Sequence, residues 1–101
     1  MFDAAREAPE FQREHGFTEA EWLRMLPMAT APHALQLGPG RAELALGAGR
    51  LCLAWTVLPP RQIALVRMPR LQVHYRFEDL PLAERQAFMR HFDLHIQKGG
   101  G

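Results

Sequence analysis

The sequence predicts an α+β domain: a five-stranded antiparallel meander, a helical N-terminal segment, and a C-terminal helix packed on one sheet face. The 101 residues suit one domain, since ordinary domains have roughly 100 to 200 residues. Apolar and polar side chains alternate between residues 34 and 77, and an amphipathic helical stripe follows. We therefore expect a helical segment over 1–30, a sheet over 34–77, a helix over 80–97 and a flexible tail over 98–101.

The N-terminal segment carries two helix signals. Thr18 and Glu21 have the spacing of a capping box, which marks a helix start. That helix should end near Leu26, because the next residue is a proline and lacks a backbone donor. A shorter helix is predicted over 9–15, with a proline in its first turn and Gly16 at its C-terminal end.

Four turns predict the strand pairing, at residues 39–40, 48–49, 59–60 and 69–70. With these turns, apolar side chains form two continuous rows across five strands, and a one-residue slip would break both rows. The rows are Leu35, Leu44, Leu53, Val66, Val73 and Leu37, Ala42, Trp55, Ala64, Tyr75. Two alternatives stay open: the loop at 59–60 is wider, or residues 61–77 form one long bent strand with a proline bulge.

The last helix presents one apolar side, which can cover the two apolar rows of the sheet. This stripe consists of Leu82, Phe88, Met89, Phe92 and Ile96.

The opposite sheet face is predicted to have an apolar centre and a polar margin, and an uncovered patch of this kind marks an interaction site. Two coverings are possible. The N-terminal helix folds over the face, or two copies of the chain pack there as an isologous dimer. The predicted binding residues on this face are Ile63, Leu65, Arg67, His74 and Arg76.

Composition limits the possible functions. The absence of serine excludes a serine nucleophile, and a single cysteine excludes an internal disulfide. The longest apolar stretch, 51–60, is half the length of a membrane-spanning helix, and the N-terminus lacks a secretion signal. We expect a cytoplasmic protein with no membrane partner and no cofactor. The leading hypothesis is an interaction or accessory module rather than an enzyme, which self-associates as a homodimer or binds another protein.

Histidine and cysteine side chains give the first alternative, a small-ligand or metal-dependent enzyme. His91 and His95 are four residues apart on the last helix, so both rings can reach one ion, and His74 or Asp93 could complete a site. Cys52 is predicted to lie opposite Arg67, where a guanidinium would lower the pKa of the thiol.

Arginines give the second alternative, a weak nucleic-acid binder. Guanidinium groups bind phosphates, but the net charge of the chain is only +1, and strongly basic domains are typical of this class. The arginines concerned are Arg61, Arg67, Arg70 and Arg76.

Overall fold

A computed structural model of the protein describes residues 8–100, and side chains through residue 96. The described chain forms β1 (Glu10–His15), α1 (Glu19–Thr30), β2 (Leu35–Gly38), β3 (Arg41–Leu46), β4 (Gly49–Ile63), β5 (Val66–Glu78) and α2 (Leu82–Gly100). The predicted α+β class with a five-stranded antiparallel sheet is confirmed. The expected tail at 98–101 lies outside the described side chains.

The sheet has the strand order β1-β5-β4-β3-β2, with every pair antiparallel. Strands β2 to β5 form a four-stranded meander, and β1 supplies the fifth strand at the outer edge of β5. The helix predicted over 9–15 is therefore wrong. Phe11, Arg13 and His15 alternate with exposed residues, and Phe11 stacks on its register partner Tyr75, so pairing and burial favour a strand.

The register of the first hairpin is confirmed, since Leu35 pairs with Leu44. In the second hairpin, Leu44 pairs with Leu51 instead of Leu53. The turn lies one residue earlier than predicted, at 47–48, because Gly47 has a φ of +55°, which glycine adopts at little cost. A shift of two residues leaves every side chain on its predicted face.

Both predicted proline turns are wrong. Strand β4 continues through Pro59 and Pro60, where a bulge shifts the register between Leu58 and Arg61. The chain reverses at residues 64–65, and β5 then continues without a break through its own proline. The alternative of one strand over 61–77 is also wrong, because the reversal falls inside that range.

Helix α1 begins at the predicted capping box, with Thr18 Oγ1 accepting from Glu21 N at 3.1 Å. It continues past Pro27 to Thr30, contrary to the prediction. Pro27 has no N–H to donate to the Leu23 carbonyl one turn earlier. Because Pro27 is exposed, water can reach that carbonyl. Thr30 is fully buried and donates its hydroxyl to the Leu26 carbonyl at 2.8 Å, which stabilises the last turn.

Both helices pack on the same face of the sheet. The Trp22 ring of α1 lies edge-on to Trp55 of β4 and to Phe92 of α2, at centroid distances of 5.7 and 6.1 Å. The predicted α2 stripe is buried except for Leu82 at its first turn. Among the described elements, none covers the opposite face, so the alternative in which the N-terminal helix folds over it is wrong. The domain has two layers, helices and sheet, and an open sheet face.

Within residues 8–100, none of the helices is both long and apolar enough to cross a bilayer.

Candidate functional site

The hairpin of β4 and β5 extends well beyond the rest of the sheet. Strand β3 reaches β4 only as far as Ala54, and β1 reaches β5 only as far as Leu71. Residues 57–70 therefore form a two-stranded ribbon without sheet neighbours among the described strands. We call these residues the arm. From Leu71 to Val66 the arm spans five residues, roughly 16 Å at about 3.3 Å per residue.

The end of the arm is apolar and exposed. Leu65 is 98% exposed, and the paired residues Ile63 and Val66 are 53% and 58% exposed. We call residues 63–66 the tip. Scattered surface leucines need no explanation, but a contiguous apolar end marks an interaction site.

Two arginines lie directly behind the tip. Arg67 pairs with Gln62 in the ladder, and Arg61 pairs with Met68 one position further back. Both guanidinium groups are exposed; Arg61 lies 3.8 Å from Glu14, and among the described residues no carboxylate pairs with Arg67. The sequence contains no acidic residue between Glu43 and Glu78, so the arm carries positive charge only.

The open sheet face is polar and internally paired. Arg50 bridges Glu43 at 2.9 Å and Glu78 at 2.6 Å, and Arg76 contacts Glu78 at 3.0 Å. The hydrogen bond from Arg50 lowers the pKa of Glu78. On β1, Glu10 lies 2.6 Å from the ring of His74. The predicted apolar centre is absent because Ile63 and Leu65 lie on the arm instead.

A shallow groove of about 400 Å³ crosses this face. Cys52 lies across the ladder from Arg76, where the sequence predicted Arg67. The pKa of Arg76 is raised, mainly by the neighbouring Cys52 side chain and secondly by the charge of Glu78. His74 is engaged by Glu10, so several polar groups of the groove already have partners, while Gln36 and Arg41 line it as well.

The predicted binding residues thus divide between two places. Ile63, Leu65 and Arg67 lie on the arm, while His74 and Arg76 line the groove of the open face. By strand alternation, Arg67 falls on the same side of β5 as Leu71 and Val73, opposite from His74. The wrongly predicted turns at 59–60 and 69–70 account for this difference, because they assign the residues of the arm to a strand within the sheet.

The histidines and the cysteine of the enzyme alternative are not brought together. The rings of His91 and His95 lie 4.4 Å apart on α2, on the helix side of the sheet, whereas His74 and Cys52 lie on the open face. His95 Nδ1 is 3.0 Å from the His91 carbonyl. Within the described residues, no three His, Cys, Asp or Glu side chains are arranged to hold a metal ion.

The four arginines of the nucleic-acid alternative are also divided. Arg70, at the base of the arm, contacts Glu14 at 2.8 Å, and Arg76 belongs to the ion pairs of the open face. Arg61 and Arg67 are left as the exposed cations near the tip.

A polar cluster between β1, β5 and α2 was not foreseen from the sequence. Arg13 forms a two-pronged ion pair with Asp93 at 2.6 and 3.3 Å and lies over the rings of Phe11 and Tyr75. His15 Nε2 lies 2.7 Å from the Tyr75 hydroxyl. Burial raises the pKa of Tyr75 and lowers that of His15 to about 4. The cluster joins β1 to the core, and its only sequence signal was the alternation in 11–15.

A second cavity, of about 360 Å³, lies between α2 and the β3–β4 turn, at the opposite end of β4 from the tip. Its walls are mainly apolar, with His33, Glu84 and His91 among the lining residues.

Comparison of the sequence with protein-family models gives no match, and comparison with curated proteins finds no significant similarity.

Proposed function

We propose that this protein is a non-catalytic interaction module of the cytoplasm, which attaches to its partner through the tip of the arm. The observation that carries this proposal is the exposure of the tip, above all of Leu65 at 98%. The two-layer domain is the platform that holds the arm in place.

Turn chemistry supports a binding role for the tip. Gly, Asn, Asp and Pro dominate tight turns, but here the four residues Ile63 to Val66 are all apolar. Ala64 has a φ of +52°, a region that costs L-residues roughly 1–2 kcal/mol. Neither turn formation nor solubility accounts for these side chains. Burial in a partner does, since each large aliphatic side chain then contributes about 1.5–3 kcal/mol.

The arm is also separated from the core, which suits attachment. Residues 59–68 are exposed without exception, so a partner can approach the tip without contact with the helices. The partner buries surface that the fold itself does not use.

Self-association through the open sheet face is the second candidate. It is favoured by the position of both helices on the other face, which leaves the groove beside Cys52 and Arg76 uncovered. The ion pairs within this face weaken the candidate, because charges that already have partners gain little from a second copy.

Site-specific photocrosslinking in cells that express the protein tests both candidates. A photoreactive residue replaces Leu65 on the tip, Ala54 on the open face, or Ala20 on the exposed side of α1 as the control. We expect adducts from position 65 above the level of position 20, identified by mass spectrometry. Adducts between two copies from position 54 alone would support the sheet-face dimer and contradict the arm proposal. Adducts at control level from all three positions would contradict both.

A further inference from the structure

The chemistry of the arm changes in a fixed order along its length. The turn and the Ile63–Val66 pair come first, followed by Arg67 opposite Gln62 and then Arg61 opposite Met68. The end of the arm is thus apolar, and two arginine side chains come immediately behind it.

This order matches the layers of a lipid surface. A bilayer presents anionic phosphates at its surface and acyl chains beneath them. The tip and the pair behind it extend about 7 Å, at about 3.3 Å per residue, and interfacial segments bury their apolar side about 5–10 Å deep. With the tip at that depth, Arg67 reaches the level of the phosphates, and Arg61 does so once its guanidinium leaves Glu14, from which it lies 3.8 Å away.

The backbone of the tip suits the same location. Ladder pairing continues to Ile63 and Val66, and the Gln62 side-chain amide donates to the Ala64 carbonyl at 3.3 Å. Unpaired backbone groups are costly beneath a lipid surface, and this bond covers one carbonyl of the turn.

We propose that the partner of the arm is a membrane surface containing anionic lipids, with the tip inserted among the headgroups and Arg61 and Arg67 against the phosphates. This inference rests on the proposed function and names its partner. It departs from the expectation of no membrane partner, which considered only spanning segments. The cytoplasmic leaflet carries anionic lipids and attracts basic segments. Nucleic acid is less suited, because the tip carries no aromatic ring for base stacking.

Vesicle co-sedimentation of the purified full chain tests the inference. We expect binding to vesicles of 70% phosphatidylcholine and 30% phosphatidylglycerol, weakening as salt is added, and at least tenfold weaker binding to phosphatidylcholine alone. The double variant Arg61→Gln, Arg67→Gln should bind the anionic vesicles roughly 25-fold more weakly, from about fivefold for each arginine. Ile63→Gln with Leu65→Gln should reduce binding at least tenfold.

The control is Arg41→Gln with Arg90→Gln, two exposed arginines outside the arm that remove the same charge. It should bind within about threefold of the wild type. Thermal unfolding of each variant verifies that it is folded. An equal loss in the control would overturn the inference, since net charge would then account for binding.

Wild-type protein that fails to bind anionic vesicles at low salt would also overturn it. In that case, adducts from position 65 to a protein, a second copy or nucleic acid would leave the proposed function intact with another partner. Failure of both experiments would remove the arm as a binding element.

Discussion

The indole of Trp55 donates a 2.8 Å hydrogen bond from Nε1 to Glu19 Oε2. This bond joins the first turn of α1 to β4 two residues before the arm begins. Trp55 also packs edge-on against Trp22, so one side chain connects the base of the arm to the helical layer.

Glu19→Ala should lower the free energy of unfolding by about 1–2 kcal/mol, because it removes a charged acceptor and leaves the indole donor of the buried Trp55 without its partner. Glu19→Gln retains a side-chain oxygen and should recover at least half of the loss. Urea unfolding followed by tryptophan fluorescence measures both values. A free energy of unfolding that is unchanged in Glu19→Ala would indicate that the hydrogen bond contributes nothing.

The fold should lose stability in mild acid because of His15. Burial is the main cause that lowers its pKa to about 4, with the charge of Arg13 second, while the pKa in the unfolded chain is near 6.5. The contribution is complete above pH 6.5 and is lost as the pH falls toward 4, since the unfolded state then binds the extra proton. Discounted for partial exposure, the loss is about 2 kcal/mol.

Urea unfolding at pH 7.5, 5.5 and 4.0 measures this loss, with His15→Gln as the matched variant. The variant should show a smaller decrease over the same range because position 15 no longer titrates. Identical pH profiles would refute the assignment to His15.

Gly49→Ala should be strongly destabilising, by more than about 3 kcal/mol. A Cβ at this position would overlap the Glu78 carbonyl oxygen and contact the backbone of Asp79. Gly16→Ala is the control, because a Cβ there meets no atom within 4 Å, and it should change stability by less than about 1 kcal/mol. Thermal denaturation of the two variants tests the contrast, and similar midpoints would contradict the close approach at Gly49.

The tip should contribute almost nothing to folding. Ile63→Gln and Leu65→Gln remove exposed side chains, so each should change the free energy of unfolding by less than about 0.5 kcal/mol. Phe92→Ala removes a fully buried ring and should cost about 3–5 kcal/mol. Urea unfolding compares them. A loss above 1 kcal/mol at the tip would mean that these residues stabilise the fold, which would weaken the argument for a partner.

Periodicity was sufficient to predict the fold class and the buried side of the sheet. Leu53, Trp55, Val73 and Tyr75 face the core as expected, although the strands pair differently. The same predicted rows were wrong at three exposed residues, Leu37, Ala64 and Val66. Faces survive a register shift of two residues because side chains alternate with a period of two. Pairing partners do change with such a shift, and the prediction that Cys52 pairs with Arg67 is therefore wrong.

The candidate site was recognised in part. The sequence identifies Ile63, Leu65 and Arg67 as binding residues, but the prolines at 59–60 favour a turn there, and such a turn places the tip on the sheet face. Local turn propensity did not predict a reversal at Ala64 and Leu65, since neither residue is typical of that position. The strand β1 was missed for a related reason: its pairing with β5 joins residues about 60 positions apart, which no local pattern reports.

Pro59, Pro60 and Pro69 occupy the stretch where the arm leaves the sheet. A free ribbon has two unpaired edges, and such edges recruit strands from other molecules into aggregates. Proline offers no N–H to an incoming strand, so these residues interrupt both edges near their base. The end of the arm can thus bind a partner, while the strand edges behind it resist pairing into fibrils.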